Sequence, residues 1–479
     1  MTTTDLLSVL PIIILISWAG VLLLLDVFLK RKNLTTSLAV LGLAVTLVVS
    51  LSQNNAHLSG FGGMVIVDNF AVFLNALFLG SGILGITLAY DYTKRMGINR
   101  GEYYILLMFS ISGMMLMAIA SDLIVVFLAL ELLSLPLYVL AAFARPKFSS
   151  EEAGMKYFLL GAFSGGFVVY GIALIFGATG TTSLAGIAAN IASHQAGMTL
   201  LALGAALVFV GFAFKVAVVP FQMWTPDVYQ GAPSAVTAFM AVGAKAAGFA
   251  ALIRIFVAAF PPLATQITPI IWVIAALTMF LGNIVAVAQT NIKRMLAYSS
   301  IAHAGYILMA LVPFGQPDVA PVSISAALFY LFSYALTNFG AWAVVIALEK
   351  AEGKGLKLED YAGLGKKYPA LAAAMVVFML SFTGVPPTLG FVGKFYLFRA
   401  VLDGGYVSLA VIGVLTSLIS AFYYLRVVVI MYMRDGDPVA RSERWLNLTT
   451  GLTALATVGL SIFASPIFHW ASQAILSSF

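Results

Sequence analysis

The amino-acid sequence predicts an all-α polytopic membrane protein with about fourteen transmembrane helices. Three observations support this class: 62% of the 479 residues are hydrophobic, only 9% are charged, and apolar runs near 20 residues recur along the chain. Soluble domains carry about 25% charged residues, and a helix needs about 20 apolar residues to cross a bilayer. The predicted spans are 6–29, 34–52, 66–90, 103–120, 122–143, 153–177, 198–222, 233–259, 268–289, 293–313, 321–348, 369–400, 406–433 and 448–470.

The distribution of basic residues predicts the orientation of these spans. Most of the 25 lysine and arginine residues fall in loops that follow odd-numbered spans. Because cytoplasmic loops are enriched in lysine and arginine, we expect the odd loops to face the cytoplasm. Both termini are then expected on the outer side.

The composition also excludes several kinds of chemistry. The chain has no cysteine, which excludes disulfides, cysteine catalysis and thiolate ligation of an iron–sulfur cluster. Four histidines leave little room for haem or zinc, so we expect neither a cofactor nor a metal in this chain. The net charge of +6 comes without a basic block interleaved with aromatics, and we expect no nucleic-acid partner.

Two long spans are interrupted by proline at comparable positions. The seventh contains Val218–Pro220 and the twelfth contains Gly384–Pro387. A proline within a helix frees the carbonyl four residues earlier, which for Pro220 is that of Val216. The two breaks lie five spans apart, so the second copy is inverted in the bilayer, and broken helices in an inverted repeat indicate a transport site. The alternative is that both are ordinary prolines of membrane helices.

Five ionisable residues fall inside predicted spans: Glu131, Lys215, Lys245, His303 and Lys394. An ionisable group within the bilayer is costly and indicates a functional site. Burial disfavours a charged ammonium and a nearby carboxylate favours it, so opening and closing a Glu131–Lys215 pair would switch the affinity for a proton. The sequence therefore predicts a proton-handling row at common depth.

Purely structural interpretations of these five residues stay open. Any one lysine could form a structural ion pair, or could extend its ammonium to the membrane surface. His303 could be a core histidine that is hydrogen-bonded to Ser299 or Ser300.

Pro136, five residues after Glu131, predicts a second freed carbonyl, that of Leu132.

Three stretches carry a resemblance to a known family: 156–180, FKVAVVPFQMWTPDVYQGAPSAV at 214–236, and NIKRMLAYSSIAHAGY at 291–306. They resemble subunit N of the bacterial proton-pumping NADH:quinone oxidoreductase (respiratory complex I), an antiporter-like subunit, over essentially the whole chain. The resemblance implies two inverted five-helix repeats with broken helices 7 and 12. The implied divisions are 1–102, with helices 1–3, the first repeat at 103–259, the second at 260–433, and helix 14 at 434–479.

The same resemblance implies roles for the five residues. Glu131 matches the acid of the fifth span, and Lys215 matches its partner at the break in the seventh. Lys245 matches the connecting lysine of the eighth span, His303 the histidine that follows it, and Lys394 the terminal lysine of the twelfth.

We therefore expect a proton-translocating subunit of an NADH:quinone oxidoreductase with no redox centre of its own. FMN, iron–sulfur clusters and quinone are expected in partner subunits. The expected partners are other membrane subunits of complex I, including other antiporter-like subunits, and lipid, in the cell (inner) membrane with periplasmic termini. Alternatives are a subunit of a redox-independent multisubunit Na⁺/H⁺ antiporter, a hydrogenase- or ferredoxin-driven relative, and a polytopic enzyme acting on lipid or sugar.

Overall fold

The structure, a computed structural model, is built almost entirely of helices, and this confirms the predicted all-α polytopic class. It describes residues 2–29, 32–193, 197–351, 353–474 and 476. Within these ranges, 12 helices are long and apolar enough to cross a membrane.

The helices run in chain order as α1 to α20. The first ten are α1 Thr3–Phe28, α2 Lys32–Leu51, α3 Asn69–Arg95, α4 Gly101–Ile119, α5 Leu123–Ala141, α6 Phe148–Thr179, α7 Leu184–Ala192, α8 Met198–Val216, α9 Trp224–Gly231 and α10 Ser234–Phe239. The others are α11 Lys245–Ala259, α12 Ala264–Val287, α13 Ile292–Met309, α14 Ala320–Leu348, α15 Leu364–Lys367, α16 Pro369–Thr383, α17 Leu389–Asp403, α18 Val407–Met433, α19 Arg444–Ile462 and α20 Ala464–Gln473.

Shorter elements join these helices. A π turn at Met240–Ala244 connects α10 to α11, and 3₁₀ turns lie at Phe61–Gly63, Pro261–Leu263 and Leu358–Tyr361. Two short antiparallel strands, β1 Leu58–Gly60 and β2 Val65–Val67, pair with Leu58 opposite Val67. The sequence analysis did not predict this hairpin, which lies between the second and third spans.

The predicted count of fourteen spans remains a prediction. Ten of the twelve long apolar helices are continuous α-helices, and two others include a π turn or a 3₁₀ turn. The two predicted spans without a counterpart among them are 293–313 and 369–400. The first corresponds to α13, whose inward face carries polar residues, and the second to the half-helices α16 and α17.

Several helices begin at a side chain that accepts a hydrogen bond from the first turn. Asp68 accepts from the N–H of Ala71 at the start of α3, and Thr388 accepts from the N–H of Phe391 at the start of α17. Such caps satisfy backbone donors that have no partner within the helix. The cap at Thr388 matters for the site because it restarts the chain as a helix after the second break.

The core of the protein is formed by α10, the π turn, α11 and α14. The window of Ser234–Ala259 that could span a membrane is wholly buried, and the corresponding window of α14 is 89% buried. Helices α1, α2, α6 and α18 present much of their surface outward. Residues on α11 are therefore enclosed by protein on all sides, which matters because α11 begins at Lys245.

Candidate functional site: a row of buried lysines and a histidine

Both broken helices end in the same backbone geometry. Helix α8 ends at Val216, followed by Ala217 with φ 62°, and α16 ends at Thr383, followed by Gly384 with φ 88°. The N–H of Val218 donates to the carbonyl of Ala213 at 3.0 Å, and that of Val385 donates to Leu380 at 3.0 Å. Each bond spans five residues, as in a Schellman cap. The two breaks predicted in the seventh and twelfth spans are confirmed.

The cause of the first break differs from the prediction. The helix ends at Val216, four residues before Pro220, and the left-handed Ala217 follows it, so the cap rather than the proline ring terminates it. In α5, moreover, the helix continues through Pro136 from Leu123 to Ala141. There the hydroxyl of Ser110 donates to the carbonyl of Leu133 at 2.9 Å. Pro136 therefore does not end α5, and the freed carbonyl of Leu132 stays a prediction.

Lys215 lies in the last turn of α8 and is 4% exposed. Its Nζ donates to the hydroxyl of Ser134 at 2.7 Å and to that of Tyr157 at 3.1 Å. The Tyr157 ring stacks on Trp224, with centroids 4.6 Å apart, and the Trp224 indole N–H donates to the carbonyl of Phe214. The second half-helix, α9, thus holds the aromatic wall against which the ammonium lies.

Glu131 lies one turn before Ser134 on α5 and is half-buried. A Cβ atom at position 165 would lie 3.0 Å from its Oε1, so the carboxylate packs over Gly165 of α6. Within the described part of the chain Glu131 and Lys215 form no direct ion pair, although each lies in the electrostatic field of the other. The structure therefore has the predicted pair in its separated arrangement.

Lys245 is the first residue of α11, directly after the π turn, and is 2% exposed. Its Nζ donates to both the carbonyl and the hydroxyl of Ser300 on α13, each at 2.6 Å. A π turn is rare and often marks a functional site. One turn along α11, Gly248 meets the side chain of Lys215: a Cβ there would lie 3.5 Å from Lys215 Cγ. The stem of Lys215 therefore packs against α11 one turn beyond Lys245.

His303 lies one turn beyond Ser300 on the same face of α13. Its Nδ1 lies 2.6 Å from the hydroxyl of Tyr330, and its Nε2 lies 3.1 Å from that of Tyr424. The Tyr424 hydroxyl also lies 2.5 Å from Ser299 Oγ. His303 is thus a hydrogen-bonded core histidine, as the alternative held, but its partners are two tyrosines rather than Ser299 or Ser300.

Lys394 closes the row at the second break. Its Nζ donates to the carbonyl of Thr383, in the last turn of α16, at 2.9 Å, and to Ser417 Oγ at 2.5 Å. It also lies 4.8 Å from the ring centroid of Tyr306, one turn beyond His303. A lysine near a helix C-terminus stabilises free carbonyls and the helix dipole. The structure thus places four buried side chains in one row on neighbouring helices: Lys215, Lys245, His303 and Lys394. The half-buried Glu131 lies beyond Lys215, at the end of the row nearest the lateral surface of the protein.

The row contains no carboxylate contact along most of its length. In the described ranges, Lys215, Lys245 and Lys394 donate to hydroxyl and carbonyl oxygens and form no ion pair. A buried ammonium without a carboxylate is costly, so these three lysines depend on the hydroxyl and carbonyl oxygens around them. Hydroxyl groups can both donate and accept, which suits them to pass a proton onward.

Sequence reasoning missed the side chains that connect the five residues. Tyr306 could have been found, since it follows His303 by three residues in the same motif and therefore shares its helix face. Tyr330, Tyr424 and Tyr157 come from other helices, and no local signal marks them. Among the residues that the structure describes, no group of three or more His, Asp or Glu side chains could hold a metal ion.

Asp227, the acid of the central stretch, lies outside the row. It accepts hydrogen bonds from Lys156 of α6 at 2.9 Å and from Arg294 of α13 at 2.7 Å. Burial raises the pKa of this carboxyl, the two hydrogen bonds lower it, and the net result lies below its usual value. Asp227 therefore ties the half-helix α9 to its two neighbours.

Comparisons with known proteins agree on one family. Residues 120–420 match the family described as NADH:quinone oxidoreductase/Mrp antiporter, TM. The NADH-quinone oxidoreductase subunit N of Chloroflexus aggregans is 48% identical, over 98% of this chain and 97% of its own. That of Trichlorobacter lovleyi is 45% identical, over 99% and 97%.

Solved structures give the same picture. A chain of respiratory complex I from Thermus thermophilus matches with a TM-score of 0.83 and 34% identity, covering 96% of this chain and 99% of that one. A chain of the Mrp complex from Dietzia matches with a TM-score of 0.86 at 21% identity, covering 99% and 97%, which shows a shared fold.

Proposed function

The chain belongs to the family of NADH-quinone oxidoreductase subunit N, and from this premise we propose that its row of buried ionisable side chains carries protons across the membrane. The chain is a multi-pass, proton-translocating membrane subunit of respiratory complex I. The observation that supports the route is the succession of buried groups on neighbouring helices, from Lys215, which packs against α11, through Lys245 and His303 to Lys394.

The proposed cycle begins at the outer end of the row. When Glu131 approaches Lys215, the carboxylate stabilises the ammonium; when they separate, Lys215 releases a proton toward Lys245. Ser300 and His303 lie one turn apart on α13 and relay the proton along that helix to Tyr306 and Lys394. Imidazole suits a relay because it can hold a proton on either nitrogen. The proton leaves from Lys394.

The energy for this cycle comes from partner subunits in the proposal. NADH oxidation and quinone reduction, with FMN and iron–sulfur clusters, take place there. Glu131 lies on the outer wall of the chain between two exposed leucines, Leu128 and Leu135, which are 55% and 51% exposed. A neighbouring membrane subunit packed on this face would act on Glu131 directly and shift its distance from Lys215.

The arrangement in the membrane follows from the same proposal. The two repeats, at 103–259 and 260–433, are inverted relative to each other in the membrane. The matching caps after Val216 and Thr383 support the view that α8 and α16 are equivalent helices of the two repeats. The odd-numbered loops face the cytoplasm and both termini face the periplasm, which the distribution of basic residues supports. The membrane is the cell (inner) membrane.

The test is to replace each end of the switch in the assembled complex. Lys215→Ala and Glu131→Ala should each lower proton pumping and the coupled reduction of quinone, while the complex still assembles on a native gel. Lys366→Ala is the matched control, since that lysine is 72% exposed and pairs with Asp435 at the surface. If both variants assemble and pump as wild type does, the proposed route is wrong.

A further inference from the structure

A second cluster of buried polar groups lies apart from the row. It lies where several loops that follow odd-numbered predicted spans come together. Glu349, at the end of α14, and Lys293, at the start of α13, are each 2% exposed. Lys293 Nζ donates to the carbonyl of Ala232 at 2.7 Å. Glu349 lies within electrostatic range of Lys293, Tyr92 and Tyr361. Neither charged residue has a role in the route proposed above.

This cluster contains buried polar atoms without a protein partner. Among the described residues, Glu349 Oε2, Ser234 Oγ and the hydroxyls of Tyr361 and Tyr103 are buried and form no hydrogen bond. In native proteins nearly all buried polar atoms are satisfied, and those without a protein partner are satisfied by ordered water. A carboxylate oxygen has the strongest need of such water. Several of these atoms close together indicate a hydrated interior.

A surface cavity adjoins the cluster at Tyr92. It has a volume of about 280 Å³, and its lining includes Tyr92, Pro233, Ala351 and Ala144. The hydroxyl of Tyr92 accepts a hydrogen bond from the N–H of Ser234 at 3.0 Å, so the inner wall of the cavity is also a wall of the cluster. Arg145 at the rim is paired with Glu151 at 3.1 Å. All the segments that line the cavity lie near loops that follow odd-numbered predicted spans, the loops that are expected to face the cytoplasm.

The cluster also points toward the row. Lys293 and Ser300 are seven residues apart on α13, two turns and about 10 Å along the same face. The phenol of Tyr229 on α9 lies beside Ser300, and three residues farther along the chain the carbonyl of Ala232 accepts from Lys293. Ser300 in turn holds Lys245. Polar groups thus extend from the cavity to the centre of the row.

We propose that Glu349 loads protons for this subunit through that cavity, an inference that rests on the proposed function. A proton from hydronium or a buffer acid in the cavity binds the Glu349 carboxylate, and water or the buffer base is left behind. Glu349 then releases the proton past Tyr229 and Ser300 to Lys245 and returns to the carboxylate, and Lys245 reloads Lys215 when Glu131 approaches it at the start of the next cycle. Lys293 is a positioning residue, whose ammonium keeps the empty carboxylate charged between turnovers.

The first experiment replaces the carboxylate in the assembled complex, reconstituted in vesicles. Glu349→Gln should lower the rate of proton uptake roughly tenfold or more, as the loss of a proton-transferring side chain does. Glu349→Asp should retain most of the rate, because it keeps the carboxylate. Glu359→Gln is the matched control, an exposed acid of the following loop. Wild-type uptake by an assembled Glu349→Gln complex would overturn the proposal.

The second experiment closes the cavity. Because this chain has no cysteine, Ala351→Cys can be labelled with a bulky thiol reagent and compared with wild-type complex treated in the same way. Labelling should slow proton uptake. Ser149→Cys is the control, since it lines a neighbouring cavity of about 370 Å³ whose lining does not include Tyr92. If labelling at 149 slows uptake and labelling at 351 does not, the proton enters elsewhere.

The two proposals fail in different ways. If Lys215→Ala stops pumping but Glu349→Gln and labelled Ala351→Cys pump normally, the uptake route is wrong and the row stands. If Lys215→Ala pumps normally, the row itself is wrong.

Discussion

Gly248, one turn along α11 from Lys245, packs against the end of α8 that carries Lys215, and adding a single methyl group there should disturb proton transfer. A Cβ at this position would lie 2.7 Å from Val216 Cγ1, closer than real Cβ contacts, and 3.5 Å from Lys215 Cγ. Val216 is fully buried, so it has little room to move. The last turn of α8, which carries both residues, must shift to accept Gly248→Ala.

The cost can be estimated from the packing. Overpacking a core typically costs about 1–3 kcal/mol, whereas replacing a helical glycine by alanine gains roughly 1 kcal/mol. The net loss of stability is then at most about 2 kcal/mol, too little to prevent assembly of a large complex. A displacement of about 1 Å in a reacting group, in contrast, can slow a transfer step by roughly a hundredfold.

The assay is NADH-driven proton pumping in vesicles, with assembly checked on a native gel. Gly80→Ala is the control, because no atom lies within 4 Å of a Cβ at that mid-helix position. Val216→Ala removes the atom that clashes, so the double variant should recover much of the activity, as coupled neighbours do. Normal pumping by Gly248→Ala would refute the inference that this contact positions the two lysines.

Three further predictions follow from the same geometry. Tyr424→Phe keeps the ring but removes the hydroxyl shared by His303 and Ser299, so pumping in vesicles should fall by about tenfold or more with the complex intact; an unchanged rate would remove Tyr424 from the route. Lys394→Arg should stop pumping almost as fully as Lys394→Ala, because arginine stays protonated and cannot release; a pumping arginine variant would show that charge alone suffices at that position. The lowered pKa of Asp227 means that its ion pairs stabilise the fold above the ordinary carboxyl pKa of about 3.9 and weaken as the pH falls through the lower, folded-state value. The thermal midpoints of wild type and Asp227→Asn should therefore differ at neutral pH and converge in acid, and a constant difference would contradict this.

Much of the site could be predicted because its residues conflict with their surroundings. Lys215, Lys245 and Lys394 stand out in apolar runs, and nothing but function or pairing keeps such residues there. His303 was found for the same reason. Both breaks were found from Pro220 and Pro387. The cap that ends α8 was not found, because a left-handed alanine such as Ala217 is uncommon and leaves no signal in the sequence.

Other features depend on packing between distant parts of the chain. Tyr330 and Tyr424 reach His303 from helices 27 and 121 residues away, so only the folded structure brings them together. Helix α13 is a predicted span that is not among the long apolar helices, because its polar residues lower its mean hydropathy. Most of those polar residues are buried in the protein, which the sequence alone does not show. Glu349 escaped notice because a carboxylate at the end of a span, next to a charged loop, is ordinary until its burial is known.

The central claim is that the row from Glu131 to Lys394 is connected by groups or water that can pass a proton. The most direct measurement is a high-resolution map of the assembled complex in lipid. We expect ordered water between Glu131 and Lys215, and between Lys215 and Lys245, together with the contacts at Ser300 and Tyr306. Dry apolar packing that separates any two of these residues would contradict it.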